Sequence, residues 1–413
     1  VENPQRIFIR GERQAILKED MAASAKVRIQ YASKYAQSSN YWKNSIGKSR
    51  GIRRLDVKGR KQEQEAAFTA WAAKNTLPTE GYSNALNLIR ESVEETAPYF
   101  ASSQYLSEAI GRSVEILAPA RLAVSKKGGE LTEALKAFYK DYNMPTDRRV
   151  AKRMFRIVGE NCKELPSVFA EVIGKRFGGD TDAYVDYLYD NSIFATEEGT
   201  LAFVDDFSVE KRDADPAVVF VRSLDAKLLE LADAQRKNNR SFKDGHRLYI
   251  AGLMRMQPDK AWASDANFTI RLTYGRVLPY DPADGIRYNY YTTLKGVMEK
   301  EDPKNPTEFT VPDKLKELYA AKDFGRYANA EGELPVAFLA DCDITGGNSG
   351  SPVMNAKGEL IGLAFDGNWE AMSGDVAFEP QLQRTIAVDV RYVLFVIDKF
   401  AGAKWLIDEL SID

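Results

Sequence analysis

The chain has 413 residues, enough for two or three domains and a sizeable buried core. Lys and Arg number 57 against 60 Asp and Glu, a net charge of −3, which argues against a nucleic-acid binder working through a broad positive field. Hydrophobic residues at 44% and charged residues at 28% mark a globular composition, and the longest apolar candidate, residues 392–397, is far short of the ~18 residues that a membrane span needs.

Residues 5 to about 265 read as helical. Ile16, Leu17, Met21, Ala25, Ile29, Ala32 and Ala36 fall at helical spacing and predict one long helix over residues 10–39. Helices follow over 63–74, stopped by Leu77-Pro78, and over 84–95, 102–124, 131–142, 146–158 and 167–177. Gly128-Gly129, Met144-Pro145 and Gly178-Gly179 punctuate them. Thr146 and Asp147 suit the N-cap of the helix that they open. Two more helices are expected over 223–236, with Ser223 as its N-cap, and over 245–256, ended by Pro258.

From residue 266 the pattern changes. Residues 267–277 alternate apolar and polar side chains and predict a strand, as do residues 287–295 with Tyr288, Tyr290, Thr292 and Leu294 at period two. Further strands are expected over 334–339, 352–354, 360–365 and 385–389, with Asn355-Ala356-Lys357-Gly358 as a hairpin turn. Residues 390–410 read as a closing helix. The expectation is two domains, a helical one over 1–265 and a small β-barrel or sandwich over 266–413.

The chain opens Val1-Glu2-Asn3-Pro4, with no initiator Met and no charged start followed by an apolar stretch, so a preceding segment is expected. Two cysteines, Cys162 and Cys342, exclude a disulfide-rich scaffold and a multi-Cys zinc module; one disulfide and two free thiols both remain open. A single histidine, His246, excludes a His-rich metal site and restricts acid–base chemistry.

The stretch that carries chemistry is Asp343-Ile344-Thr345-Gly346-Gly347-Asn348-Ser349-Gly350-Ser351-Pro352-Val353. A Ser between glycines can sit on a tight turn with its hydroxyl exposed. The same turn can aim the N–H groups of Gly347 and Ser349 at one point, as an oxyanion hole for acyl transfer requires. The strand, hairpin and Gly362-Leu363-Ala364-Phe365 that follow match the strand pair after the nucleophile in chymotrypsin-like barrels, and Gly347-Asn348-Ser349-Gly350-Ser351-Pro352 resembles the Gly-Asp-Ser-Gly-Gly-Pro of that superfamily. The plainer alternative is a flexible Gly/Ser loop. A Ser nucleophile needs a base, and nothing in the sequence places His246, at the expected start of a helix, beside that loop. A solvent-facing or capping role suits it better. The base is therefore expected on a segment preceding this chain, since chymotrypsin-like enzymes run His, Asp, Ser.

Three stretches make the resemblance specific. They are residues 290–300 (Tyr290-Tyr291-Thr292-Thr293-Leu294-Lys295-Gly296), the Ser349 loop, and Ala364-Phe365-Asp366-Gly367-Asn368-Trp369-Glu370; residues 31–47, with Ser39-Asn40-Tyr41-Trp42-Lys43-Asn44, agree with them. Together the chain resembles the bacterial serine dipeptidyl-peptidase 7/11 family over essentially its whole length. The resemblance implies an α+β fold: a chymotrypsin-like double β-barrel with an inserted all-helical cap domain, of which this chain would hold the cap and the C-terminal barrel. The first barrel, with the family's His and Asp, has no counterpart here. The resemblance further implies oligopeptide substrates, no metal or organic cofactor, a homodimer, and a periplasmic or cell-surface location.

By the same resemblance Ser349 matches the nucleophile and Gly347 the second oxyanion donor. Asp366 matches the carboxylate that holds the substrate's α-ammonium, its plainer alternative being a turn residue in Phe-Asp-Gly-Asn. Asn40 is the choice for the cap-domain Asn that also binds that ammonium, with Asn44 as rival. Gly367 matches the position that tunes the P1 pocket, Arg in acidic-specific members and Gly in those preferring apolar side chains. Asp343, six residues before Ser349, is read as a buried structural Asp, and Phe365 and Trp369 as core packing. Two functions from different classes stand: a serine exopeptidase releasing dipeptides with apolar P1, and a non-catalytic peptide-binding module with a protease-derived cleft.

Overall fold

Helical periodicity and capping residues build most of the chain. A computed structural model describes residues 2–412 apart from 238, 263, 265, 266, 306 and 307. The fold is helix-rich with small sheets, in two units: residues 1–46 with 59–263, and residues 47–58 with 264–413. The expected boundary residues, 265 and 266, lie outside the described residues, and residues 47–58 go with the second unit although the sequence assigns them to the first.

The first unit is all helical. α1 (Glu2–Ala23), α2 (Ala25–Arg54), α3 (Val57–Asn75), α4 (Ala85–Tyr105), α5 (Leu117–Ser125), α6 (Gly128–Lys140) and α7 (Met144–Asn161) open it, with α2 and α3 running on into residues 47–58. Helices Thr181–Asn191, Glu197–Asp205, Val209–Ala214, Pro216–Lys237 and Asn239–Met256 follow. The single helix expected over 10–39 is two, because Ser24 accepts the N–H of Val27 at 3.3 Å and caps α2. Asn143, rather than Thr146, caps α7 by accepting the N–H of Thr146 at 3.1 Å. Ser223 lies inside Pro216–Lys237. Asp215 caps that helix through the N–H groups of Ala217 and Val218, and Pro216 takes the first position, where a missing N–H costs nothing. The freed Ser223 hydroxyl accepts the N–H of Val168 at 3.1 Å. Phe155, Phe169 and Phe220 pack in the core, Phe155 and Phe220 with ring centroids 4.9 Å apart. No helix among the described residues is long and apolar enough to cross a membrane.

The second unit is built on two sheets. β1 (Tyr280–Ala283) and β2 (Ile286–Tyr288) form a ribbon. β3 (Tyr291–Thr293), β4 (Pro335–Ala340), β5 (Pro352–Met354), β6 (Leu360–Gly367) and β7 (Thr385–Asp389) form an antiparallel sheet in the order β3-β4-β7-β6-β5. Leu294, Leu315, Phe324, Tyr327, Leu334 and Phe395 form the core between this sheet and the C-terminal helical turns. The hairpin at 355–358 is present, with Gly358 at φ +83° and its N–H bonded to Asn355 O at 3.0 Å.

Three expectations fail here. Residues 267–277 form no strand beyond one bridge, Val277 to Ala340. Phe268, Ile270, Leu272 and Tyr274 are exposed, so the period-two pattern finds no partner strand among the described residues. The strand over 287–295 is broken into β2 and β3, which pair with different neighbours, and Leu294 opens a helix. The closing helix is shorter pieces: Val390–Phe395, a wide π turn Val396–Phe400, and Lys404–Ile407. Cys162 and Cys342 are free, and burial raises the pKa of both thiols.

Residues 47–58 join the second unit through a close approach. Gly47 and Gly51 lie one helical turn apart on α2. A Cβ on Gly47 would come within 2.6 Å of Met372 Cγ, and one on Gly51 within 2.5 Å of Ser373 Cβ. Arg54 adds a hydrogen bond of 2.7 Å to Pro282 O and an ion pair with Glu370 at 3.7 Å.

Candidate active site

The turn that carries Ser349 joins two anchored ends. Upstream, β4 ends at Ala340, and the Asp343 N–H donates to Thr273 Oγ1 at 3.1 Å. Downstream, Gly350 N–H donates to Ala364 O at 2.7 Å and Ala364 N–H to Ser351 O at 3.0 Å, which ties the loop to β6. Between them Thr345 and Asn348 close a turn: Asn348 N–H donates to Thr345 O at 3.2 Å, and Thr345 N–H to Asn348 Oδ1 at 3.1 Å. Gly347 at φ +109° and Gly350 at φ +83° adopt backbone that side chains disfavour, and they flank Asn348-Ser349. Ser349 is exposed, as a nucleophile on a sharp turn must be.

Asp366 and Gly367 sit at the end of β6, beyond an irregularity in the ladder. Ala364 pairs with Ala387 and Asp366 with Ile386, so Phe365 is the extra residue of a bulge. The bulge turns Phe365 outward, half exposed; Trp369 is half exposed as well, so neither packs in the core as expected. Asp366 is exposed and its Oδ1 accepts the Gly367 N–H at 2.8 Å. Gly367 faces a wall: a Cβ there would lie 3.0 Å from Ala371 Cβ and 3.6 Å from Met372 Cε.

Two buried residues that the sequence reading passed over hold this strand end. Asn368 takes the N–H groups of Arg384 (2.9 Å) and Ala371 (3.1 Å) on its Oδ1 and donates to Leu382 O at 2.7 Å. Arg384 spreads its guanidinium over the carbonyls of Pro279, Pro380, Gln381 and Gln383. Their only trace in the sequence is Asn in a turn beside Gly, a common turn signal that does not point to a buried anchor.

Asp343 is exposed rather than buried. Its carboxyl is pushed up from the ordinary range, first by partial burial and then by the neighbouring charge of Asp375, with Arg271 opposing. Asn40 and Asn44 lie one turn apart on α2, both exposed, in the first unit. His246 lies within the helix Asn239–Met256, exposed and stacked on Phe242 with centroids 6.0 Å apart.

An exposed Ser between positive-φ glycines, on a loop tied to an antiparallel sheet, is an arrangement that a serine nucleophile can use. The chain belongs to the peptidase S46 family, whose model matches residues 1–412. It is 49% identical to a dipeptidyl-peptidase 7 of Phocaeicola vulgatus over 99% of this chain and 59% of that protein, and 45% identical to one of Porphyromonas gingivalis over 100% and 59%. It is also 39% identical to an Asp/Glu-specific dipeptidyl-peptidase of Porphyromonas gingivalis, over 100% and 59%. Among solved structures it resembles Porphyromonas endodontalis DPP11 in complex with the dipeptide Arg-Glu, at 37% identity and a TM-score of 0.88, covering 99% of this chain and 60% of that one. The chain therefore spans about three fifths of the length of these relatives.

Proposed function

We propose that this chain is the serine-bearing part of a dipeptidyl-peptidase that releases dipeptides from free peptide N-termini. The observation that carries the reading is Ser349, exposed between Gly347 and Gly350 on a turn anchored to β6, in a member of a peptidase family. In the proposed reaction the Ser349 hydroxyl attacks the second peptide carbonyl. Its proton passes to a base outside this chain, and the oxyanion is held by the N–H groups of Gly347 and Ser349. The protonated base releases the amine of the remaining peptide. Water then attacks the acyl-enzyme, which frees the dipeptide and regenerates Ser349.

Asp366, exposed at the end of β6, is the proposed partner of the substrate α-ammonium, with Asn40 of α2 supplying an amide oxygen and Asn44 as the alternative. Gly367 is the proposed floor of an uncharged P1 pocket. No cofactor enters this scheme. The catalytic His and Asp belong, in this reading, to the barrel that the resemblance places before the cap. The homodimer and the periplasmic or surface location remain part of the same proposal.

The test uses the protein as its gene encodes it, with chromogenic dipeptidyl substrates carrying free or acetylated N-termini. Ser349→Ala is expected to abolish turnover, and the 413-residue chain alone to show none above background, with or without His246→Ala. Asp366→Ala should lower kcat/KM for the free substrate by roughly 10- to 100-fold, the equivalent of one charge-assisted hydrogen bond of ~1.5–3 kcal/mol. It should also narrow the preference over the acetylated substrate. Full turnover by Ser349→Ala removes Ser349 as the nucleophile, whereas no turnover by the wild-type protein sinks the enzyme assignment and leaves the peptide-binding module. An unchanged preference in Asp366→Ala makes Asp366 a turn residue only.

A further inference from the structure

We infer that Asp375 is a positioning residue for the Ser349 turn, acting through the hydroxyl of Thr345. This rests on the reading of Ser349 as nucleophile. The turn has two feet. Its downstream foot is held by the two backbone bonds between Gly350, Ser351 and Ala364. Its upstream foot is Thr345, which is exposed and is followed by two glycines that give the backbone no side-chain restraint. Two residues beyond the Asp343–Thr273 anchor, the Thr345 side chain is itself tied to another segment by Asp375, whose Oδ1 accepts the Thr345 hydroxyl at 2.8 Å. Lys48, on the part of α2 that belongs to this unit, lies 3.6 Å from the other oxygen, Oδ2, and balances its charge.

Thr345 in turn is bonded twice to Asn348, through its carbonyl and its N–H. Fixing the Thr345 hydroxyl therefore fixes the closed turn that contains Gly347, and with it the direction of the Gly347 N–H. The N–H groups of Gly347 and Ser349 are proposed to hold the oxyanion, a task sensitive to small displacements: about 1 Å of misplacement can cost as much as ~100-fold in rate. Asp375 itself touches no reacting atom.

Asp375→Ala, in the protein as its gene encodes it, is expected to lower kcat by about 10-fold or more with KM changed less than about 2-fold, because the loss falls on the transition state. Asp375→Asn keeps an acceptor for the hydroxyl and should recover most of the lost kcat. Thr345→Val should reproduce the loss and Thr345→Ser should reverse it, and these two carry the same test should Asp375→Ala not accumulate as folded protein. Joining Asp375→Ala to Thr345→Val should cost little beyond the worse single variant, since both remove one bond. Wild-type kcat in Asp375→Ala or Thr345→Val, a change confined to KM, or no recovery in Asp375→Asn overturns the inference. Ser349→Ala run alongside separates the two levels. Activity retained there removes the nucleophile reading itself, whereas its loss beside a fully active Asp375→Ala removes only the role of Asp375.

Discussion

Gly367, proposed as the floor of the P1 pocket, sits where adding a side chain is not simple. Its φ is not in the left-handed region, so the backbone admits a side chain. The space does not: the Cβ would press on Ala371 at 3.0 Å. Gly367→Arg should shift the ratio of kcat/KM for acidic over apolar P1 substrates upward, because a guanidinium in a partly desolvated pocket pairs with a carboxylate. The contact predicts that Gly367→Arg with Ala371→Gly shifts it further, since the added Cβ then meets no neighbour at 3.0 Å. Matched dipeptidyl substrates differing only at P1 measure this. A ratio unmoved in both variants takes Gly367 off the specificity position. Asn368 and Arg384 explain why the residues at this strand end keep their places, and neither stood out in the sequence. A buried Asn and Arg announce themselves only by the carbonyls and N–H groups around them.

At the scale of elements, the C-terminal end of α2 is the least expected feature. The pair Gly47 and Gly51 is spaced for one helix face, yet only the structure shows the 3₁₀ turn Trp369–Ser373 pressed against that face. That turn follows directly on Asp366-Gly367-Asn368, so the fit of the helix end bears on the strand end as well. Gly51→Ala should destabilise the second unit by about 1–3 kcal/mol, since its Cβ overlaps the buried Ser373. Exposed Gly346→Ala, with open space around its Cβ, should cost far less. Urea unfolding followed by tryptophan fluorescence, to which Trp369 contributes as one of five tryptophans, distinguishes them; equal midpoints for the two variants would show that the contact carries no strain. The strands that were legible, β4 to β7, are those whose alternation is matched by a paired neighbour. Residues 267–277 carry an equally clear alternation but pair only at the Val277–Ala340 bridge, because periodicity records which face is apolar and not whether another strand arrives to cover it.

For the molecule as a whole, stability should depend on pH through a carboxyl far from the Ser349 loop in the chain. Asp147 is buried in the first unit, where it accepts the N–H groups of Glu115 (2.7 Å) and Ile116 (2.8 Å) and the hydroxyl of Tyr189 (2.6 Å). Burial, then the charge of Glu115, pushes its pKa up to about 7 in spite of those bonds. Unfolded, the group has the ordinary value of about 3.9. Between these values the folded state holds a proton that the unfolded chain has released. The stabilising proton is therefore fully in place below about pH 4, and stability falls as pH rises towards 7, by up to about 1.4 kcal/mol per pH unit. Asp147→Asn should melt lower throughout but with a flatter dependence of Tm on pH between 4.5 and 7, read by circular dichroism. Parallel profiles for the two proteins would show that Asp147 does not titrate in this window.

The sequence by itself determined the helical first part, β4 to β7 with their hairpin, the Ser349 turn with its glycines, and the place of Asp366-Gly367 at a strand end. These depend on residues close together in the chain: side-chain period, caps, and turn-forming Gly and Asn. Tertiary structure decided what depends on distant partners. It split the 10–39 stretch at Ser24, left residues 267–277 with a single bridge in place of a strand and Phe365 and Trp369 half exposed, moved residues 47–58 to the second unit, and brought Asp375 to Thr345 across 30 residues of chain. A hydrogen bond between residues so far apart has no local signature, because neither side chain alters the backbone preference of its own segment. It exists only once the sheet and the turns have placed both groups within 2.8 Å.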